Sequence, residues 1–143
     1  MKRQALSLIS LLSLLLVAGL AIAQTSNVRA NVPFNFAVGS KILPAGTYDI
    51  GAISSDPKML LLKARDGNSS MIVGSNSAEN PKGAEKSKLV FNRYRDQYFL
   101  AEIWVKGATS GRQLPKTSRE KELAKELAQD LTHQRVEIVA SLY

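Results

Sequence analysis

The chain has no cysteine and a single histidine, His133, among its 143 residues. The first absence excludes structural disulfides, thiol nucleophiles, thiolate zinc sites, iron–sulfur clusters and a lipid-modified cysteine anchor. The second excludes a multi-histidine zinc site and a pair of catalytic imidazoles. Aromatics are sparse, with four Phe, four Tyr and one Trp. After the first 23 residues no apolar run reaches membrane-spanning length. The patterns G-x-S-x-G, G-x-x-x-x-G-K-[ST] and H-E-x-x-H are missing, as is an EF-hand loop. No catalytic residue, cofactor or metal site is therefore expected, and the chain reads as non-enzymatic.

What is present begins at the N-terminus. Lys2-Arg3 precede an uncharged run from Ala5 to Ala21, which ends in Ala21-Ile22-Ala23. A basic start, an apolar core and small residues two apart form the grammar of a bacterial secretory signal. Gly19 loosens the end of the apolar helix, Ala21 and Ala23 fit the small pockets of a signal peptidase, and Gln24 becomes the new N-terminus. The alternative is an uncleaved anchor, since 17 residues sit at the lower edge of what spans a ~30 Å hydrocarbon core. The expected product is one domain, 24–143, working in the periplasm or outside the cell with no membrane span.

Without Lys2 and Arg3 the mature chain keeps 17 basic against 12 acidic residues, a net charge of +5. Such a balance reads as a solvated, soluble surface rather than a dedicated anion site. Nucleic acid is disfavoured by the compartment and because no basic run alternates with stacking aromatics.

The periodicity is that of strands. Val28, Ala30, Val32, Phe34, Phe36 and Val38 alternate strictly with more polar neighbours, which buries one face of a strand. Pro33 suggests an edge or a bulge. Leu43-Pro44-Ala45-Gly46 suggests a type I turn followed by a left-handed glycine. Strands are expected at 47–53 and 59–64, separated by Asp56-Pro57. Asp66-Gly67 then marks a hairpin into 70–73. Residues 74–87 are polar and unpatterned, and are expected to be mobile rather than a binding loop. Lys88–Tyr94 and Tyr98–Val105 form a hairpin over Arg95-Asp96-Gln97, its second strand central. The segment 106–116 reads as a loop, in which 107–112 could form a small anion nest and Arg112 is solvated charge.

Thr117-Ser118-Arg119-Glu120 has the form of a capping box. It opens a helix whose stripe Leu123, Ala124, Leu127, Ala128 and Leu131 should dock on the sheet. His133 falls at that helix's expected C-terminus, as a capping group. Val136, Ile138, Ala140 and Leu142 return to period two as a last strand. The fold class is mainly β: an antiparallel sandwich or partly open barrel of about seven or eight short strands with one C-terminal amphipathic helix.

Three residues are candidate ligand contacts: Tyr98, Glu102 and Trp104. By parity on one strand Glu102 faces the same way as Tyr98, Leu100 and Trp104. A carboxylate among aromatics suits a raised-pKa acid or a ligand contact; a cross-strand ion pair with Lys88 or Arg93 is the structural alternative. Trp104 and Tyr98 could stack on a sugar, and Tyr48 is read in the same way, but core packing is the expected use of all three.

The blocks VPFNFAVGSKILPAGTY (32–48), LVFNRYRDQYFLAEIW (89–104) and LPKTSREKELA (114–124) resemble, in order and spacing, a group of small exported bacterial proteins met mainly in soil acidobacteria. The resemblance covers most of the mature domain. It implies a family and no activity or site residue, because none is established for the group. In the hairpin turn, where glycine is expected, this chain carries Arg95.

The leading expectation is an exported, non-catalytic β-domain with an envelope or extracellular partner. The alternatives are a carrier for a small apolar ligand, its barrel lined by Phe34, Phe36, Phe91 and Trp104, and a carboxylate-dependent hydrolase with Glu102 as its acid.

Overall fold

The computed structural model describes residues 27–53, 55–128 and 133–143. The cleavage residues Ala21, Ala23 and Gln24 lie outside them, as does Leu131. Among the described residues eleven strands form one curled, partly open barrel with one helix on its outside. They are β1 (Val28–Val32), β2 (Phe36–Val38), β3 (Lys41–Leu43), β4 (Gly46–Ile53), β5 (Asp56–Ala64), β6 (Ser70–Gly74), β7 (Asn76–Glu79), β8 (Lys88–Tyr94), β9 (Gln97–Trp104), β10 (Ser110–Gln113) and β11 (His133–Leu142). Helix α1 (Ser118–Glu126) lies between β10 and β11. The strand order is β3-β2-β9-β8-β11-β1-β4-β5-β6, while β10 pairs with both β7 and β9. The strands outnumber the expected seven or eight because three-residue strands form and because 74–87 and 106–116 contribute β7 and β10.

The alternating segment 28–38 holds its inner face throughout but changes neighbours midway. β1 is central, antiparallel to both β11 and β4. Pro33 has no N–H to donate, so the ladder stops at Val32. Three residues later β2 runs parallel to β9 at Ala37↔Phe99 and antiparallel to β3. Proline thus ends a central strand and sends the chain across to the other side of the barrel, rather than marking an edge.

That crossing builds the core. Phe34 stacks on Tyr98 with ring centroids 3.7 Å apart and meets Phe91 edge-on at 5.1 Å. Phe36 meets Phe91 at 5.4 Å and Tyr48 at 5.2 Å, both edge-on. Edge-to-face pairs set the positive ring edge against the negative face and add to the area buried. Tyr48 is fully buried, and its hydroxyl donates to the Pro44 carbonyl at 2.7 Å, so its polar end is satisfied inside.

Two turns depart from expectation. Gly46 takes no positive φ; it opens β4 opposite Val32. The left-handed residue of the β8–β9 turn is instead Arg95 (φ 57). This is the position where glycine is expected, and a side chain there is strained by its Cβ. Asp56-Pro57 do not separate two strands: they begin β5, and the register slips at Ala52/Ile53.

The 74–87 segment is ordered by pairing. β6 runs into β7 through Ser75, whose N–H and Oγ both donate to the Lys58 carbonyl. Arg112, expected to be solvated, reaches back from β10: Nε donates to Ser75 Oγ and Nη2 to its carbonyl, each at 2.9 Å. Asn80 and Gly83 close a turn, with Gly83 N–H donating to the Asn80 carbonyl and Asn80 Nδ2 to the Gly83 carbonyl. The nest at 107–112 does not form, because Gly107 N–H donates to Ala84 and Ala108 N–H to Val105.

Thr117 caps α1 by accepting from the Glu120 N–H at 3.1 Å. The reciprocal half of the expected box is absent. Glu120 turns into the protein, where Oε1 accepts from Asn92 Nδ2 at 2.8 Å and Tyr94 Oη at 3.3 Å. Leu123 and Leu127 pack on Tyr94 and Phe99, docking α1 on the outer face of β8–β9. The helix ends at Glu126, so His133 does not cap it; the backbone of His133 opens β11 opposite Tyr94.

Gly111 of β10 lies over the indole of Trp104. A Cβ at Gly111 would sit 2.6 Å from Trp104 Cε3 and 2.9 Å from the Ile103 carbonyl oxygen. Gly111→Ala should therefore destabilise the fold by about 1–3 kcal/mol through overpacking. Urea unfolding followed by the emission of Trp104, the one tryptophan, should show a lower midpoint with an unchanged slope. An unchanged midpoint would mean that β10 moves aside without cost.

Candidate functional site

Glu102, Trp104 and Tyr98 share a strand but not a face. β8 pairs Val90 with Glu102 and the next residue, Phe91, with Leu100, leaving Ala101 as an extra residue in β9. Such a bulge re-aims every side chain beyond it. Tyr98 and Leu100 therefore belong to the inner core, while Trp104 packs outside it with Val90, Ala84 and Ala78. The parity reading across 98–104 is corrected accordingly. The lining proposed for an internal carrier site is corrected too, since Phe34, Phe36 and Phe91 pack on one another and Trp104 faces out.

On the outer face the indole is covered rather than offered, being only 7% exposed. Its Nε1 donates to Glu102 Oε2 at 2.8 Å. The same oxygen accepts from Arg135 Nη2 of β11 at 2.9 Å. The ion-pair alternative for Glu102 is thus realised with a partner other than Lys88 or Arg93. Arg93 Nε donates to the Arg95 carbonyl, and Lys88 Nζ pairs with Glu137 Oε1 at 2.5 Å. Arg135 was missed because its strand lies two ladders from β9, and no pattern in one sequence fixes that neighbour.

Glu102, Trp104, Lys88 and Glu137 border an open hollow of about 510 Å³. Residues 79–86 line the rest of it, with Glu79, Glu85, Lys82 and Lys86 among them. Cations and carboxylates alternate, so the cavity presents no strong field of one sign. Hydrogen bonding to Lys88 holds the Glu137 carboxyl below its ordinary range, against a smaller opposing effect of burial. On another part of the barrel Arg29 grips Asp49, with Nε–Oδ1 at 2.6 Å and Nη2–Oδ2 at 3.1 Å, and holds its carboxyl low in the same way. Among the described residues no group of three or more His, Asp or Glu could hold a metal ion, and no helix is long and apolar enough to cross a membrane.

No protein-family model matches the chain, nor does any characterised protein or solved structure.

Two outcomes follow from these ties. Glu102→Leu leaves the buried indole N–H without its acceptor and should cost about 1–3 kcal/mol. Glu102→Gln keeps an acceptor and should cost clearly less, because the Arg135 side of the ion pair is half-exposed and solvent-screened pairs are worth little. Equal losses in urea melts would place the stability in the ion pair instead. The second outcome concerns acid. Asp49 and Glu137 lie below their ordinary values of 3.8 and 4.5, so as pH falls the unfolded chain takes up these protons first. Their contribution is complete above those values and disappears as pH drops through the lower folded ones. The urea midpoint should fall below pH 4.5, and fall less in the double variant Asp49→Asn/Glu137→Gln. Parallel curves for the two proteins would assign acid sensitivity to other groups.

Proposed function

We propose that the chain is an exported member of the small bacterial group its sequence blocks resemble, and that it acts as a non-catalytic β-domain by binding or by envelope association. The observation that supports this most is where its acids go. Glu102 accepts from Trp104 and Arg135, Glu137 pairs with Lys88, Asp49 with Arg29, and Glu120 accepts from Asn92 and Tyr94. These four carboxylates are engaged in holding strands or the helix together. The Lys2-Arg3 start and the Ala21-Ile22-Ala23 end of the leading run support export, and a net charge of +5 after its removal suits a soluble protein of the envelope.

The test is a native mass spectrum of the protein recovered separately from periplasm, culture medium and membranes. A mass equal to residues 24–143 in either of the first two fractions is expected. The full-length mass, confined to the membrane fraction, would overturn export and replace it with an anchor. For the catalytic alternative, an activity lost in a folded Glu102→Gln variant would displace the binding reading.

A further inference from the structure

Ile42, on the three-residue edge strand β3, is 73% exposed, the largest fraction among the large apolar residues of the described core and surface. It stands at the rim of a cavity of about 540 Å³ between the β2–β3 hairpin and the start of α1. Ala37 and Phe99, cross-strand neighbours on the outer face of β2–β9, line it as well, Ala37 half-buried and Phe99 largely covered by Tyr94, Leu123 and Leu127. A second hollow of about 200 Å³ shares Ala37, Ile42 and Phe99 and extends the groove towards Asp96 in the β8–β9 turn. The larger hollow alone falls in the range of small-molecule sites, roughly 300–1,000 Å³.

The two ends of this groove differ in charge. Lys41 and Arg119 line the larger hollow, where no carboxylate joins them. Neither forms an ion pair among the described residues, unlike Lys88, Arg29 and Arg135. Asp96 marks the opposite end. The groove thus joins the apolar Ala37, Ile42 and Phe99 to polar side chains, Gln97 lining both hollows and Ser40, Thr117 and Ser118 the larger, and it is cationic at one end and acidic at the other.

We propose that this groove binds a single-chain anionic amphiphile, a free long-chain fatty acid. Its carboxylate meets Lys41 and Arg119 and its alkyl chain lies over Phe99 and Ala37 against Ile42. Ala37, Ile42 and Phe99 supply apolar surface for a hydrocarbon, and Gln97, Ser40, Thr117 and Ser118 of the same lining supply polar groups beside the two cations. Each methylene taken out of water adds to the affinity. The paired cations and the distant Asp96 fix which way round the molecule lies. The site is on the outside of the barrel beneath α1, not in its aromatic interior. The proposal rests on the reading that the chain acts by binding, and on nothing about export.

The test is calorimetric titration of the purified full domain with dodecanoate, and in parallel with uncharged 1-dodecanol. Dodecanoate should saturate at one site, with dodecanol about tenfold weaker or more. Ile42→Glu and the double variant Lys41→Glu/Arg119→Glu alter exposed side chains and should fold normally by circular dichroism, yet each should weaken dodecanoate about tenfold or more. Equal binding of dodecanol, or affinity unchanged in both variants, would overturn the proposal and move any ligand elsewhere. Binding to phosphatidylglycerol vesicles but not to monomeric dodecanoate would also overturn it, in favour of a membrane-docking surface. So would a dimer that Ile42→Glu dissociates, which would show a second copy covering the groove. A protein found at its exported mass that ignores dodecanoate loses this site and keeps its export. One that binds dodecanoate but is never processed does the reverse.

Discussion

Phe34 is held by no ladder, yet the two sides of the barrel meet through it. It stands in the three-residue passage between β1 and β2, stacked on Tyr98 of β9 and edge-on to Phe91 of β8. The same passage delivers Phe36 to Phe91 and to Tyr48 of β4. Five rings from four strands and one connection therefore fill the space that the curled sheet encloses. Aromatic rings bury large areas with few rotatable bonds, so a chain with only nine of them can close a barrel by placing most of them here. That cluster holds the crossing at Pro33 against the far wall, beside the parallel pairing of β2 with β9.

The outer face is organised on a different principle. Trp104, Glu102 and Arg135 join β9 to β11 across β8, and Lys88 and Glu137 tie the two strands beneath them. Glu120 draws α1 onto Asn92 and Tyr94. That environment pushes the Tyr94 hydroxyl up to about 12, chiefly through burial and secondarily through the neighbouring carboxylate. Inside, rings pack on rings; outside, carboxylates gather donors from several elements. The single residue Ala101 separates the two regimes, since its bulge turns Glu102 outward just after Leu100 has pointed in.

Much of this was legible in the sequence. Strict alternation over 28–38 and the bulky run at 98–104 gave the right faces up to the points where the backbone departs from regularity. The helix start at Thr117 was legible because capping is local chemistry. What escaped shares one physical cause: it depends on a neighbour far along the chain. β7 and β10 carry almost no apolar pattern, since SGRQ and NSAE are held by each other and by Arg112 on Ser75 rather than by burial. A bulge leaves no trace in composition, so parity carried Glu102 to the wrong face. The cationic, apolar groove beneath α1 is assembled from residues as distant in sequence as Ile42 and Arg119, none of which forms a motif.

The route by which the barrel closes sets how it can move. β3 and β6 end the ladder order and do not pair with each other. The backbone of Gly39, in the β2–β3 turn, faces β6 side chains across this gap: a Cβ added there would sit 3.0 Å from the Met71 methyl and 3.8 Å from a Val73 methyl. The covalent strand through Ser75, pinned by Arg112, joins the walls at only one end of this slit. Widening it breaks van der Waals contacts and, among the described residues, no backbone hydrogen bond, whereas parting any two neighbours in the strand order breaks a ladder. The slit is therefore the one gap between the walls that no ladder closes, and the chain bridges it at the Ser75 corner.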